Sequence, residues 1–69
     1  MQEAKVITER QGPVLVVTIN RPQVRNCVDG ETAALLEEAA EAFRRDAQLR
    51  VMILTGAGGH FCSGADLKA

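Results

Sequence analysis

The sequence has no tryptophan and no tyrosine, and Phe43 and Phe61 are its only aromatic side chains. A stacking platform for nucleic-acid bases needs more aromatic surface than that. A surplus of charge of one sign is also lacking. Eight Lys and Arg stand against nine Asp and Glu, a net charge of −1, which leaves no electrostatic footprint for nucleic acid or an anionic membrane. No run approaches the ~20 consecutive apolar residues that span a bilayer. The opening MQEAKVITER mixes both signs of charge and lacks the apolar core of a signal peptide. Glu3 and Glu9 also sit where transit peptides avoid acids. Cys27 and Cys62 allow one disulfide at most, so no disulfide framework is expected. With His60 they make three possible metal ligands, but at no recognised spacing, and no metal site is expected. Together these absences point to a soluble, cytoplasmic protein with no nucleic-acid or membrane partner.

Length sets a further limit. A chain of 69 residues has room for one small domain, and such a chain buries only roughly 60% of its unfolded surface. Without disulfide or metal staples its core is marginal. No repeat, low-complexity tract or linker interrupts it.

What is present reads as an α/β pattern. KVITER, Lys5 to Arg10, is a short strand with Val6 and Thr8 on one face, and Gln11-Gly12-Pro13 is a turn. The β-branched run VLVVTIN, Val14 to Asn20, is a second strand. So short a turn makes the pair an antiparallel hairpin. Arg21 to Val28 is then a loop. Asp29 suits an N-cap and Glu31 the first turn of a helix, which runs from Gly30 toward Leu49. Thr32, Leu35, Leu36, Ala39, Ala40 and Phe43 form its apolar stripe. Glu37, Glu38, Glu41, Arg44 and Arg45 face the other way, and Glu41 can pair with Arg45 at i,i+4. RVMILT, Arg50 to Thr55, is a near-continuous apolar run of the kind found in strands buried on both faces. The order β-β-α-β makes the second and last strands parallel, joined by a right-handed helical crossover. Three strands and one helix leave a sheet face and an edge open, an aggregation hazard, so residues 1–69 read as the first part of one larger domain.

After the last strand comes GAGGHFCSGADLKA. A dinucleotide fingerprint, G-x-G-x-x-G, fits Gly56 and Gly58 but meets Phe61 at its sixth position. A Walker loop, G-x-x-x-x-G-K-[ST], fits Gly59 and Gly64 but finds Ala65 and Asp66 where Lys and a hydroxyl belong. Neither phosphate motif survives.

The loop Asn20-Arg21-Pro22 with Asn26, the strand closing in Leu54-Thr55-Gly56, and Phe61 to Lys68 (FCSGADLK) have the order and spacing of another pattern. Together they resemble the start of the crotonase (enoyl-CoA hydratase/isomerase) superfamily, over roughly the first quarter of its usual domain. The resemblance implies an incomplete crotonase-like ββα spiral fold. It implies an acyl-CoA thioester as ligand, with coenzyme A entering as part of the substrate and no separate cofactor. It also implies a homo-oligomer, trimeric or hexameric, in full-length members. In the family two backbone N–H groups form an oxyanion hole for the thioester enolate, and one belongs to the alanine of the G-A-D turn, here Ala65. Losing such a donor typically costs about 2.7–4 kcal/mol in the transition state. Gly64 gives the tight path before it. By the same likeness Ala65, Asp66, Leu67 and Lys68 line the CoA channel, mostly through main-chain atoms, with Asp66 capping the next turn rather than acting as base.

Lys68, Arg21 and Arg25 are candidates for the CoA phosphates, with simple solvated charge as the alternative. Cys62 reads as a small buried residue rather than a nucleophile, Cys27 stands where the family commonly has alanine, and His60 reads as solvent-facing. The second oxyanion donor and the acid/base carboxylates of the family belong to later segments. The expected activity is therefore hydration of 2-enoyl-CoA by a longer polypeptide, with these residues alone inactive. Enoyl-CoA isomerisation, CoA binding without catalysis, and a non-catalytic interaction module that uses the open sheet are the alternatives.

Overall fold

The computed structural model describes residues 4–59, 61, 62 and 64. Strand β1, Val6–Gln11, and strand β2, Val14–Ile19, form the expected antiparallel hairpin, from Val6 opposite Ile19 to Gln11 opposite Val14. Gly12 takes φ 59° at the turn, a left-handed conformation that glycine adopts without a Cβ penalty. Helix α1, Gly30–Arg45, follows, and strand β3, Val51–Gly56, returns parallel to β2. The sheet order is β1-β2-β3. Its parallel register starts at Val14 opposite Val51 and ends at Ile19 opposite Gly56.

Alternation in β2 decides where the core sits. Leu15, Val17 and Ile19 point to one side and are buried, while Val14, Val16 and Thr18 on the other are half-buried. The core unites Leu15 and Val17 with Ala39 of α1 and Leu49, and Val6, Leu36 and Phe43 pack against it. The helix stripe read from the sequence is thus the one that packs. Glu41 lies 3.7 Å from Arg44 and 3.9 Å from Arg45 on the outer side.

Two expectations need correction. The helix stops at Arg45 rather than running toward Leu49. Asp46 is extended, its N–H donates to the Phe43 carbonyl at 3.3 Å, and its Oδ1 accepts from the Gln48 N–H at 2.9 Å. A short acceptor beside the backbone offers the chain a turn in place of another helical residue. Arg10 reinforces that turn, donating from Nη1 to Asp46 and from Nη2 to Gln48 Oε1 at 3.2 Å, and it holds the Asp46 carboxyl below its ordinary range. The turn lets Leu49 fold back into the core.

The second correction concerns β3. Its apolar run is not buried on both faces: Val51 is 49% exposed and Ile53 47% exposed. The helix packs over β1 and β2, and β3 forms an edge of the sheet. No helix among the described residues is long and apolar enough to cross a membrane.

With so small a core, single deletions are felt strongly. Leu15→Ala is expected to cost about 2–5 kcal/mol, read as a lower urea midpoint, while Glu37→Gln on the exposed helix face stays within about 0.5 kcal/mol.

Candidate active-site loop

The loop between β2 and α1 begins by closing the sheet. Asn20 donates its backbone N–H to the Lys5 carbonyl at 2.8 Å and its Nδ2 to the Ala4 carbonyl at 3.0 Å. Pro22 then opens a 3-10 turn, Pro22–Val24, where its fixed φ is pre-set for the first turn and its missing N–H costs nothing. Arg25 and Asn26 follow with φ 55° and 59°. Left-handed backbone costs roughly 1–2 kcal/mol per L-residue, so something must hold both in place.

The Asn26 side chain does so. The residue is fully buried. Its Oδ1 accepts the Arg21 N–H at 2.8 Å, and its backbone N–H donates to the Arg21 carbonyl at 2.8 Å. Its Nδ2 reaches across to donate to the Ala57 carbonyl at 2.8 Å, just past the end of β3. The two loops also touch at Pro22 and Gly58. Gly58 has φ 73°, and a Cβ there would lie 2.7 Å from Pro22 Cβ, so both conformation and space require glycine. Further along, the Val28 N–H donates to the Gly64 carbonyl at 2.8 Å. The segment from Ala57 to Gly64 is therefore tied to the first loop near both of its ends.

A charge cluster anchors the loop to the helix. Asp29 is the N-cap of α1, with Oδ1 accepting the Thr32 N–H at 2.8 Å. Its Oδ2 lies 2.8 Å from Lys5 Nζ and 3.5 Å from Arg21 Nη2. Glu31 adds a longer contact to Lys5 at 3.6 Å. The Lys5 hydrogen bond, together with the Thr32 N–H, holds the Asp29 carboxyl well below the usual carboxylate range, and the same pairing raises Lys5. Arg21 also donates from Nη1 to the Cys27 carbonyl at 2.7 Å. Its side chain is only 11% exposed, so Arg21 is neither a solvated charge nor turned outward toward a phosphate. It braces the loop from inside.

Among the other residues singled out from the sequence, Arg25 is exposed at the tip of the loop. Cys27 and Cys62 are free thiols, both half-buried, so Cys62 is less enclosed than a small core residue would be. His60, Ser63, Ala65, Asp66, Leu67 and Lys68 lie outside the described residues. The structure brings Gly64, the residue before Ala65, against Val28. Sequence reasoning missed the Asn26–Ala57 bond, the Pro22–Gly58 contact and the Lys5–Asp29 pair. For the first, an asparagine in a turn-rich stretch was the one local signal, and it does not name Ala57 as the partner. Nothing local marks Lys5 as the partner of an acid 24 positions away.

Residues 9–69 match the family model described as enoyl-CoA hydratase/isomerase. The chain is 46% identical over 63 residues to enoyl-CoA hydratase EchA19 of Mycobacterium tuberculosis, covering 91% of this chain and 24% of that protein. It is 47% identical over 70 residues to a carnitinyl-CoA dehydratase of Salmonella arizonae, covering 100% of this chain and 26% of that protein. A solved enoyl-CoA hydratase structure from Mycobacterium tuberculosis superposes with a TM-score of 0.94 at 45% identity, over 97% of this chain and 27% of that one. The chain thus spans about a quarter of the length of the relatives it matches.

Two consequences of the loop's bonding can be measured. Asn26→Ala strips the Arg21 N–H and the Ala57 carbonyl of their partners, and each orphaned buried group costs about 1–3 kcal/mol, so a clear fall in the denaturation midpoint is expected. The Asp29 carboxyl is depressed in the folded state, so its stabilisation is present above its unfolded pKa of about 3.9 and is lost as pH falls toward its lower folded value. Asp29→Asn should therefore lower stability at neutral pH and flatten the acid limb of a stability–pH curve. An unchanged acid limb would contradict the pairing.

Proposed function

This chain belongs to the enoyl-CoA hydratase/isomerase family, and from that membership we propose that it supplies the thioester-holding first part of a hydratase-type domain that adds water to 2-enoyl-CoA. In that reaction the water oxygen bonds to the β-carbon and a proton reaches the α-carbon. Negative charge gathers on the thioester oxygen in between. A preorganised N–H aimed at that oxygen stabilises the enolate without reorganising at the moment of reaction. The Ala65 N–H fills this role in the proposal, and the main chain of Ala65, Asp66, Leu67 and Lys68 lines the CoA arm, with Lys68 and Arg25 toward its phosphates. Coenzyme A arrives as part of the substrate. The acid and base that move the protons are supplied from outside residues 1–69. The full-length protein is read as a cytoplasmic homo-oligomer.

The observation that carries this reading is the Val28 N–H to Gly64 carbonyl bond of 2.8 Å. A donor on a peptide carbonyl polarises the whole planar peptide unit and strengthens the N–H antiparallel to that carbonyl as a donor, the property that the proposed role needs.

A second reading, a module that associates through its open sheet, is favoured by one observation. Val51, Met52, Ile53 and Leu54 of β3 are all exposed.

Hydration of crotonyl-CoA tests the first reading. The polypeptide isolated from its natural source should consume the enoyl thioester, and the purified 69-residue chain should not. Replacing the Ala65 N–H by an ester oxygen, with L-lactic acid at that position, is expected to lower kcat by about 10²–10³-fold in the natural polypeptide. Turnover by the 69-residue chain that survives repurification would refute the division of labour, and full activity of the ester would refute the role of Ala65.

A further inference from the structure

Asp29 is followed by Gly30, and an Asp-Gly pair carries a chemistry of its own. With no Cβ on the second residue, the Gly30 backbone nitrogen can approach the Asp29 side chain. That nitrogen attacks Cγ of the protonated carboxyl group. A hydroxyl leaves as water with the amide proton, and a five-membered succinimide forms. Water then opens the ring. Opening at Cγ restores aspartate, while opening at the main-chain carbonyl leaves isoaspartate, in which the backbone runs through Cβ and Cγ. The water lost in the first step is regained in the second, so no co-reactant is needed. A Cβ built at Gly30 would meet nothing within 4 Å, so no other part of the chain crowds this peptide.

What opposes the reaction is the bonding of the Asp29 carboxylate. Oδ1 accepts the Thr32 N–H at 2.8 Å, and Oδ2 lies 2.8 Å from Lys5 Nζ and 3.5 Å from Arg21 Nη2. Both oxygens are thereby engaged, and the side chain is only 11% exposed. Glu31, 3.6 Å from Lys5 Nζ, is the other acid at the cluster. The Asp29 carbonyl accepts the Ala33 N–H at 2.9 Å, which fixes the peptide leading into Gly30. The Lys5 hydrogen bond leads in keeping the carboxyl ionised, and an ionised carboxylate is a poor electrophile for a peptide nitrogen. We propose that Asp29–Gly30 is a latent isoaspartate site, held unreacted in the folded chain by the Lys5 and Arg21 cations and the Thr32 N–H. Isomerisation there would lengthen the backbone at the helix cap and remove the β-carboxylate that joins Lys5, Arg21 and α1. The inference is independent of the activity proposed above.

The experiment uses the polypeptide from its natural source with its Lys5→Met, Lys5→Arg and Gly30→Ala variants. Each is aged at neutral pH, folded in buffer and unfolded in guanidinium, with circular dichroism reporting the fold. Isoaspartate is located by digestion and fragmentation mass spectrometry. Asp46–Ala47 serves as internal reference, because Ala47 carries a Cβ. The unfolded parent is expected to isomerise at Asp29 well ahead of Asp46, and unfolded Gly30→Ala to lose that lead. In the folded parent, reaction at Asp29 should be about tenfold slower or more than in the unfolded chain. Folded Lys5→Met should isomerise about fivefold faster than the folded parent, and Lys5→Arg should keep most of the protection. An unfolded parent that reacts no faster at Asp29 than at Asp46 would show that no latent site exists. Equal rates in the folded and unfolded parent would overturn the protection, and a folded Lys5→Met no faster than the parent would overturn the role of the pairing. Where Lys5→Met does not fold, Lys5→Gln takes its place. Failure of both to fold would assign Lys5 to the stability of the whole chain and overturn the inference as well.

Discussion

The backbone after β2 passes through two consecutive left-handed residues, Arg25 and Asn26, neither of them glycine. Left to local preference it would not do so. It is held there by a buried carboxamide whose two ends bond to groups 5 and 31 positions away in the chain. This constraint sets the path of everything that follows. It places Val28 where its N–H can meet Gly64, and it aims the chain so that Asp29 arrives at the head of α1. One buried side chain thereby shapes the whole loop.

Electrostatics secures the far end of the same loop. Asp29 caps the helix, pairs with Lys5 ahead of β1 and lies beside Arg21. A single carboxylate therefore joins the start of the chain, the first loop and the helix N-terminus. Each of the three contacts is modest when exposed, but they share one acceptor that is itself only 11% exposed. The helix dipole favours negative charge at this end as well. Arg21, flanked by the Cys27 carbonyl and Asp29, contributes structure where its charge alone invited a ligand role.

The parts of this fold that were legible in the sequence are those set by neighbours. The Gly12-Pro13 turn, the β-branched strand β2, the Asp29 cap and the apolar stripe from Thr32 to Phe43 all follow from residues a few positions apart. The parallel pairing of β2 with β3 followed from the intervening helix. The helix end was misread because Ala47, Gln48 and Leu49 continue the helical pattern while the Asp46 side chain diverts the backbone. The apolar run of β3 declared a buried strand, but burial depends on what lies against it, and α1 lies over the other two strands. Of the candidate site, the resemblance pointed to the residues around Gly64, and the Val28 contact that holds Gly64 could not be read from it. Asn26 and Ala57, or Pro22 and Gly58, become neighbours only once β2 and β3 pair.

That pairing turns the sheet into a ruler. Ile19 opposes Gly56, so both loops leave the same end of adjacent parallel strands, the end where open α/β sheets place their ligands. A slip of one residue along β3 would carry Ala57 about 3.3 Å from its place. It would also swap which β3 side chains point to each face of the sheet. The distance over which Asn26 forms its bond is smaller than that step. The parallel backbone ladder of β2 with β3 is thereby what calibrates the approach of the two loops, and the tolerance of the site is inherited from the pairing of those strands.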